Sequence, residues 1–62
     1  GGTVTVDVVD ENGEEQRQYT ETFDKDQTTA VVVLYREEAG EMEYVIRFNG
    51  EEVKRGVAVF TQ

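Results

Sequence analysis

The chain has 62 residues, and its 14 acidic and 6 basic side chains give a net charge of −8 at neutral pH. This length predicts one domain, residues 1–62, and the negative charge makes nucleic acid and membrane surfaces unexpected partners. Cysteine and histidine are both absent, so the sequence predicts no disulfide and no soft metal site.

The longest apolar run, residues 30–35, is far shorter than the roughly 20 residues of a membrane span. The chain does not open on a basic stretch followed by an apolar one, so we expect no signal peptide. High acidic charge favours solubility in a small domain. The sequence therefore predicts a soluble protein and indicates no particular cellular location.

The first two predicted strands cover residues 3–9 and 14–23. Valines at positions 4, 6 and 8 alternate with polar residues, which is the pattern of a half-buried strand. Gly13 can supply the positive φ that ends the intervening turn. The polar start of the second strand predicts an edge of the sheet, where charged side chains discourage pairing with other chains.

Residues 24–27 contain neither glycine nor asparagine, which a tight hairpin normally requires. We therefore expect an arch there that carries the chain to a second sheet. The third and fourth predicted strands follow at 28–36 and 41–48. A four-residue loop between them sets their register; it pairs Arg36 with Glu41, Tyr35 with Met42, Val33 with Tyr44, Val31 with Ile46 and Thr29 with Phe48. The apolar third strand is predicted to be central and well covered.

Asn49-Gly50 is a strong hairpin signal and leads into a fifth predicted strand at 51–61. The two-residue loop pairs Arg47 with Glu52 and Ile46 with Val53. Gly56 lies inside this strand, where glycine usually marks a bulge or a bend. The sequence thus predicts an all-β fold of five antiparallel strands, arranged as a small sandwich or as a partly open barrel.

A helix over residues 27–39 is the alternative, with Asp26 as its cap and Gly40 at its end. It would give a ββαββ topology. The β-branched residues between positions 28 and 33 oppose it because their side chains are stiff at χ1 and lower helix propensity.

No residue pattern predicts a catalytic, metal or cofactor site, or a small-molecule ligand. The stretches beginning at Asp10 and Asp24 resemble the start of a calcium-binding loop, but neither has glycine at position six together with glutamate at position twelve. Adjacent carboxylates such as Glu37 and Glu38 point to opposite sides of an extended chain. With no histidine, cysteine or serine, the usual nucleophile–base arrangements are also missing, so we expect no enzyme.

Two turn sequences share a pattern, Asp10-Glu11-Asn12-Gly13 and Glu37-Glu38-Ala39-Gly40, and Asn49-Gly50 makes a third turn. Proline, cysteine, histidine and tryptophan are absent. In these features the chain resembles de novo designed β mini-proteins, similar to designed immunoglobulin-like sandwiches or small β-barrels. That resemblance implies a structural scaffold without natural biochemical activity. The alternative is a protein-binding module that uses a strand edge or a tyrosine-bearing face. The first predicts a monomer, and the second allows a homodimer through edge strands.

Overall fold

The computed structural model describes residues 1–61, which form one open antiparallel sheet of four strands. The strands are β1 (Gly2–Val9), β2 (Glu15–Phe23), β3 (Gly40–Phe48) and β4 (Glu51–Phe60). Their order across the sheet is β2-β1-β3-β4, so β1 and β3 are central and β2 and β4 are edges. Gln62, the last residue of the predicted domain, lies outside the described residues.

The prediction of five strands in a sandwich or barrel is wrong. Residues 28–36, the third predicted strand, lie outside the sheet, and residues 1–61 contain no second sheet. The other four predicted strands are present, each with one end shifted by a single residue. The edge position predicted for residues 14–23 is confirmed, since β2 borders the sheet.

The predicted partner of residues 41–48 is also wrong, because β1 pairs with them instead of residues 28–36. Val6 lies opposite Ile46 and Val8 lies opposite Tyr44. The physical reason lies on the face of the sheet opposite to Val6 and Ile46. In the predicted register, Val32 would lie opposite Val45 on that side, whereas β1 places Asp7 opposite Val45 and within 2.9 Å of Arg47.

Residues that lie opposite each other in neighbouring strands share one face of the sheet. The first face, here called the apolar face, carries side chains from all four strands: Val4, Val6, Val8, Tyr19, Phe23, Met42, Tyr44, Ile46, Phe48, Ala58 and Phe60. The second, here called the ionic face, carries the buried Val45 and the charged side chains Asp7, Glu15, Arg17, Glu41, Glu43, Arg47, Glu52 and Arg55.

The connection between β2 and β3, residues 24–39, crosses the apolar face. It must pass β1, because β2 and β3 lie on opposite sides of that strand. Near its start the Gln27 amide donates a hydrogen bond to Glu21, which lies opposite Val4 on the apolar face. Further along, Val32 and Leu34 are partly buried while their neighbours are exposed. The connection therefore forms a second layer that is a single extended segment wide.

The prediction of an arch at residues 24–27 is correct in one part and wrong in another. Residues 24–27 do not form a hairpin, as predicted, since β2 pairs with β1 and not with the strand that follows it. They do not lead to a second sheet. The alternative helix over residues 27–39 is wrong, because these residues have no helical structure.

The turns follow the glycine and asparagine positions. Gly13 has a φ of 82°, and Asn49 and Gly50 have φ of 51° and 84°, as a two-residue hairpin loop requires. Of the bulge or bend predicted at Gly56, the bulge is wrong, because the register shifts between Ile46 and Arg47 and leaves Val53 as the extra residue of β4. The predicted pairing of Ile46 with Val53 is therefore also wrong, and Ile46 lies opposite Lys54. Gly56 instead lies against Tyr44, whose hydroxyl would be 2.6 Å from an added Cβ.

The core is small. Val6, Val8 and Val45 are the buried apolar side chains of the described chain, and Val6 and Val45 are fully inaccessible. The Cα radius of gyration is 12.6 Å, whereas a compact domain of this length has about 10–11 Å. One sheet with a single covering segment therefore buries less apolar surface than a closed domain would.

Candidate interaction surface

Three side chains of the crossing connection point away from the sheet. Val31, Val33 and Tyr35 are 81%, 82% and 73% exposed, and they alternate with the partly buried Val32 and Leu34. We call these three residues the outer stripe. The alternation shows that residues 31–35 are extended, with one side against the sheet and one side in water.

The backbone of residues 28–36 lacks the hydrogen bonds of a strand. Within residues 1–61, no strand pairs with this stretch, and no turn hydrogen bond joins its main-chain groups to another main-chain group. The carbonyl of Thr29 accepts a hydrogen bond from the Gln27 side chain at 3.2 Å. An extended chain with unpaired N–H and C=O groups can accept another strand beside it.

A second group of exposed apolar side chains lies along the edge strand β4. Val53, Val57 and Val59 are 62%, 56% and 70% exposed. Lys54 and Arg55 interrupt this group, and charged side chains on an edge disfavour pairing with another chain. Residues 27–35, which include the outer stripe, carry no charge. The outer stripe therefore opposes pairing with another chain less than β4 does.

The ionic face is organised around Asp7, which is 5% exposed. Its carboxylate accepts hydrogen bonds from Arg17 and from Arg47, the latter at 2.9 Å. Arg47 also bonds Glu15 at 2.6 Å and 3.2 Å. The hydrogen bond from Arg17, with the positive charge of both arginines, lowers the pKa of Asp7 below its ordinary value of 3.8.

The predicted register of Arg47 opposite Glu52 is confirmed, but their side chains choose other partners. Arg47 reaches across to Asp7 and Glu15, and Glu52 pairs with Arg55 at 3.0 Å. The twist of a sheet brings side chains that are not directly opposite within reach of each other. In the cluster of Asp7, Glu15, Arg17 and Arg47, the two carboxylates pair with the two arginines. These ion pairs connect β2, β1 and β3.

A smaller polar chain lies where the connection leaves β2. The Tyr19 hydroxyl and the Gln27 amide both donate hydrogen bonds to Glu21. The bond from Tyr19 lowers the pKa of Glu21 and raises the pKa of Tyr19. These contacts attach the connection to β2, and their role is therefore structural.

Asp10 and Asp24, which begin the two stretches that resemble a calcium-binding loop, stabilise turns. The Asp10 carboxylate accepts hydrogen bonds from the backbone N–H groups of Asn12 and Glu14, both at 2.9 Å; the bond from Glu14 lowers the pKa of Asp10. Asp24 accepts from the N–H of Asp26 at 3.0 Å. In residues 1–61 no group of three or more acidic, histidine or cysteine side chains is placed to hold a metal ion.

The aromatic residues divide between the two layers. Phe23 and Phe48 meet edge to face with ring centroids 6.5 Å apart, and Tyr44 covers Gly56. Tyr35, predicted to pair with Met42, is 73% exposed and lies on the outer stripe.

Two features of the site were not predicted from the sequence. The outer stripe was expected inside the sheet, although residues 30–35 are apolar at every position and so differ in pattern from the other predicted strands. The role of Asp7 was also not predicted, although a carboxylate between Val6 and Val8 in a central strand requires a positive partner.

Comparison with protein-family models, with curated proteins and with solved structures finds no match. None of the described residues forms a helix long and apolar enough to cross a membrane.

Proposed function

We propose that this chain is a small protein-binding module whose contact surface is the outer stripe. The observation that carries this proposal is the exposure of Val31, Val33 and Tyr35 on an extended stretch with an unpaired backbone. A partner that supplies a strand or an apolar face gains both main-chain hydrogen bonds and apolar contact there.

The distribution of apolar residues supports this function. Seven large apolar side chains of the described chain are exposed, whereas three apolar side chains form the core. Burying apolar surface is worth about 25 cal/mol per Å², and a domain of about 60 residues has little stability to spare. Folding alone leaves these side chains in water, and a partner on the outer stripe would cover three of them, Val31, Val33 and Tyr35.

The test uses displayed peptides as the probe. Random ten-residue peptides are selected on the wild-type chain, and the enriched peptides are measured against a Val31→Lys/Val33→Lys variant. We expect extended, alternating apolar peptides that bind the wild type at least tenfold more tightly, because each lysine adds charge where the partner strand must pack.

The matched control is Thr20→Lys/Thr22→Lys. These threonines are exposed on the edge strand β2, so this variant adds the same charge away from the outer stripe. Peptides that bind all three proteins equally would place the binding surface elsewhere and overturn the proposal.

The designed structural scaffold is the second candidate function. The agreement between turn residues and backbone geometry at Gly13, Asn49 and Gly50 favours it, because designs choose turn residues for their φ. The chain would then have no natural activity, and its circular dichroism spectrum would barely change up to about 90 °C. Ordinary melting together with peptide binding to the outer stripe would favour the binding module.

A further inference from the structure

The edge strand β4 has a strand partner on one side only. Within residues 1–61, β4 pairs with β3 and with no other strand. Its outer side therefore carries main-chain N–H and C=O groups with which another extended chain can pair. The crossing connection runs from β2 to β3 and does not pass β4, so a strand added at this edge would extend the sheet without meeting the connection.

Of the two edges of the sheet, β4 is the one on which two copies repel least. The chain carries a net charge of −8, yet β4 has two acidic and two basic residues and is neutral overall. The other edge, β2, has two acidic residues and one basic residue, and it follows a turn with three acidic residues. The four charges of β4 lie within residues 51–55, so residues 56–60 are uncharged. Two copies would therefore approach most easily through the second half of β4.

Side-chain alternation and charge together restrict how two copies of β4 can pair. Opposite residues of an antiparallel pair share a face, and a shift of one residue would set the ionic face against the apolar face. Registers centred on Lys54 or Arg55 would oppose like charges, which is repulsive. Registers centred on Gly56 or Val57 would set Arg55 opposite a valine.

The register centred on Ala58 avoids both conflicts. On the ionic face it places Val57 of each copy opposite Val59 of the other. These valines are 56% and 70% exposed in the single chain, and within each copy they lie opposite Glu43 and Glu41 of β3. The dimer would therefore have four valines at its centre with glutamates on both sides, which is the usual arrangement of an apolar interface core and a polar rim.

The apolar face fits the same register. Gly56 of each copy would lie opposite Phe60 of the other, and an aromatic side chain beside a strand glycine supplies the packing that glycine lacks. Tyr44 already covers Gly56 from its own sheet, so the incoming phenylalanine would lie beside that ring.

We propose that a second copy of this chain pairs with β4, as antiparallel edge strands centred on Ala58, and joins two four-stranded sheets into one sheet of eight strands. The inference goes beyond the proposed function because it uses a different surface. The two-fold axis would be perpendicular to the sheet, so both crossing connections would lie on the same face of the dimer and away from the new pairing. Both outer stripes would remain exposed.

The first test is the oligomeric state of the full chain, measured by sedimentation and light scattering. We expect the mass to rise from 7.0 kDa to a plateau at twice that value as the concentration approaches millimolar, because a contact between two short strand segments is small and therefore weak.

Two valines of β4 provide a matched pair of variants. Val57→Lys should weaken dimerisation at least tenfold, because each copy would then set a lysine against Val59 at the centre of the pairing. Val53→Lys adds the same charge to the same strand at a valine that is 62% exposed and lies beyond the paired residues, so it should dimerise like the wild type. Circular dichroism compares the folds of the variants.

Introduced cysteines test the register, since the chain has none of its own. A mixture of Val57→Cys and Val59→Cys should form a disulfide-linked dimer at least tenfold faster than either variant alone. In the proposed register these two positions face each other. Identical positions of the two copies would be about 8 Å apart, beyond the reach of a disulfide.

A mass that stays at 7.0 kDa at millimolar concentration, or that climbs without a plateau, would overturn the proposal. Equal weakening by Val57→Lys and Val53→Lys would show that the second half of β4 is not the contact, and equal rates of cross-linking would overturn the register. The Val31→Lys/Val33→Lys variant should dimerise like the wild type. Loss of the dimer in that variant would place the contact on the outer stripe, whereas peptide binding tests the binding module separately.

Discussion

Strand β3 and residues 28–36 are both rich in β-branched and aromatic side chains, yet one lies in the centre of the sheet and the other lies across it. In β3, Tyr44 and Ile46 on the apolar face alternate with Glu43, Val45 and Arg47 on the ionic face. Residues 30–35 have apolar side chains at every position. The difference teaches that a sheet with one ionic face accepts strands that bring a polar side chain to that face.

The consequence is visible in two valines of the same size. Val45 in β3 is fully buried between its neighbouring strands, and Val33 in the connection is 82% exposed. An apolar run without alternation is typical of a strand that is covered on both sides. Here the sheet covers one side, and the other side is exposed.

Truncating these two valines should sharpen the comparison most. Val45→Ala is expected to lower the free energy of unfolding by about 2–3 kcal/mol, because it removes buried methyl groups and leaves a cavity. Val33→Ala should change it by less than about 0.5 kcal/mol, as at other exposed positions. Urea unfolding measures both at a protein concentration low enough to keep the chain monomeric. Equal losses would mean that residues 28–36 are packed as a sheet strand.

Removing the charge of Asp7 should have the next largest effect. Asp7→Asn keeps the shape of the side chain but weakens its bonds to Arg17 and Arg47. We expect a loss of about 1.5–2 kcal/mol at neutral pH, the usual value of hydrogen bonds to a charged group. Asp24→Asn, in an exposed turn, is the control for removing one carboxylate. A similar loss in both variants would argue against a special role for the cluster.

The stability of the wild type and that of Asp7→Asn should depend differently on pH. Because the folded-state pKa of Asp7 lies below its ordinary value of 3.8, the unfolded chain binds the proton first as the pH falls. The stabilisation is complete above the ordinary pKa and is lost as the pH falls from there through the folded-state pKa. Between neutral pH and about pH 2, the wild type should therefore lose more stability than Asp7→Asn. Parallel curves for the two proteins would contradict this account.

The hairpin after β3 gives the smallest predicted effect. Gly50 has a φ of 84° and open space around its Cα, so Gly50→Ala should cost about 1 kcal/mol through backbone strain alone. The turn fixes the pairing of β3 with β4, a constraint that residues 28–36 do not have. Thermal unfolding of Gly50→Ala beside Glu51→Ala, an exposed neighbour, separates backbone strain from general disturbance of the turn. A Gly50→Ala variant as stable as wild type would show that the left-handed turn is not required.

Several parts of the fold could be predicted because they depend on local pattern. Alternation located β1, and the Asn49-Gly50 turn located the β3–β4 hairpin. The absence of a turn residue at 24–27 excluded a hairpin there. Each of these signals involves residues close together in the sequence, where turn chemistry and side-chain period decide the outcome.

The partner of β3 could not be predicted in the same way. Two stretches, β1 and residues 28–36, offered an apolar face to Tyr44 and Ile46, and the nearer one was chosen from the sequence. The deciding contact is between Asp7 of β1 and Arg47, which are 40 positions apart. This contact lies on the ionic face, whereas the predicted register rested on the apolar face alone. The outer stripe was missed for the same reason, since its exposure follows from the pairing of β1 with β3.

Amide hydrogen exchange, followed residue by residue in the monomer at micromolar concentration, tests the central claim most directly. With residues 28–36 outside the sheet, their amides should exchange at nearly the rates of an unstructured chain, while amides of β1 and β3 such as those of Val6 and Val45 are strongly protected. Protection of Val31, Val33 and Tyr35 equal to that of β3 would contradict the account, because it would mean that these residues pair within the sheet of a single chain.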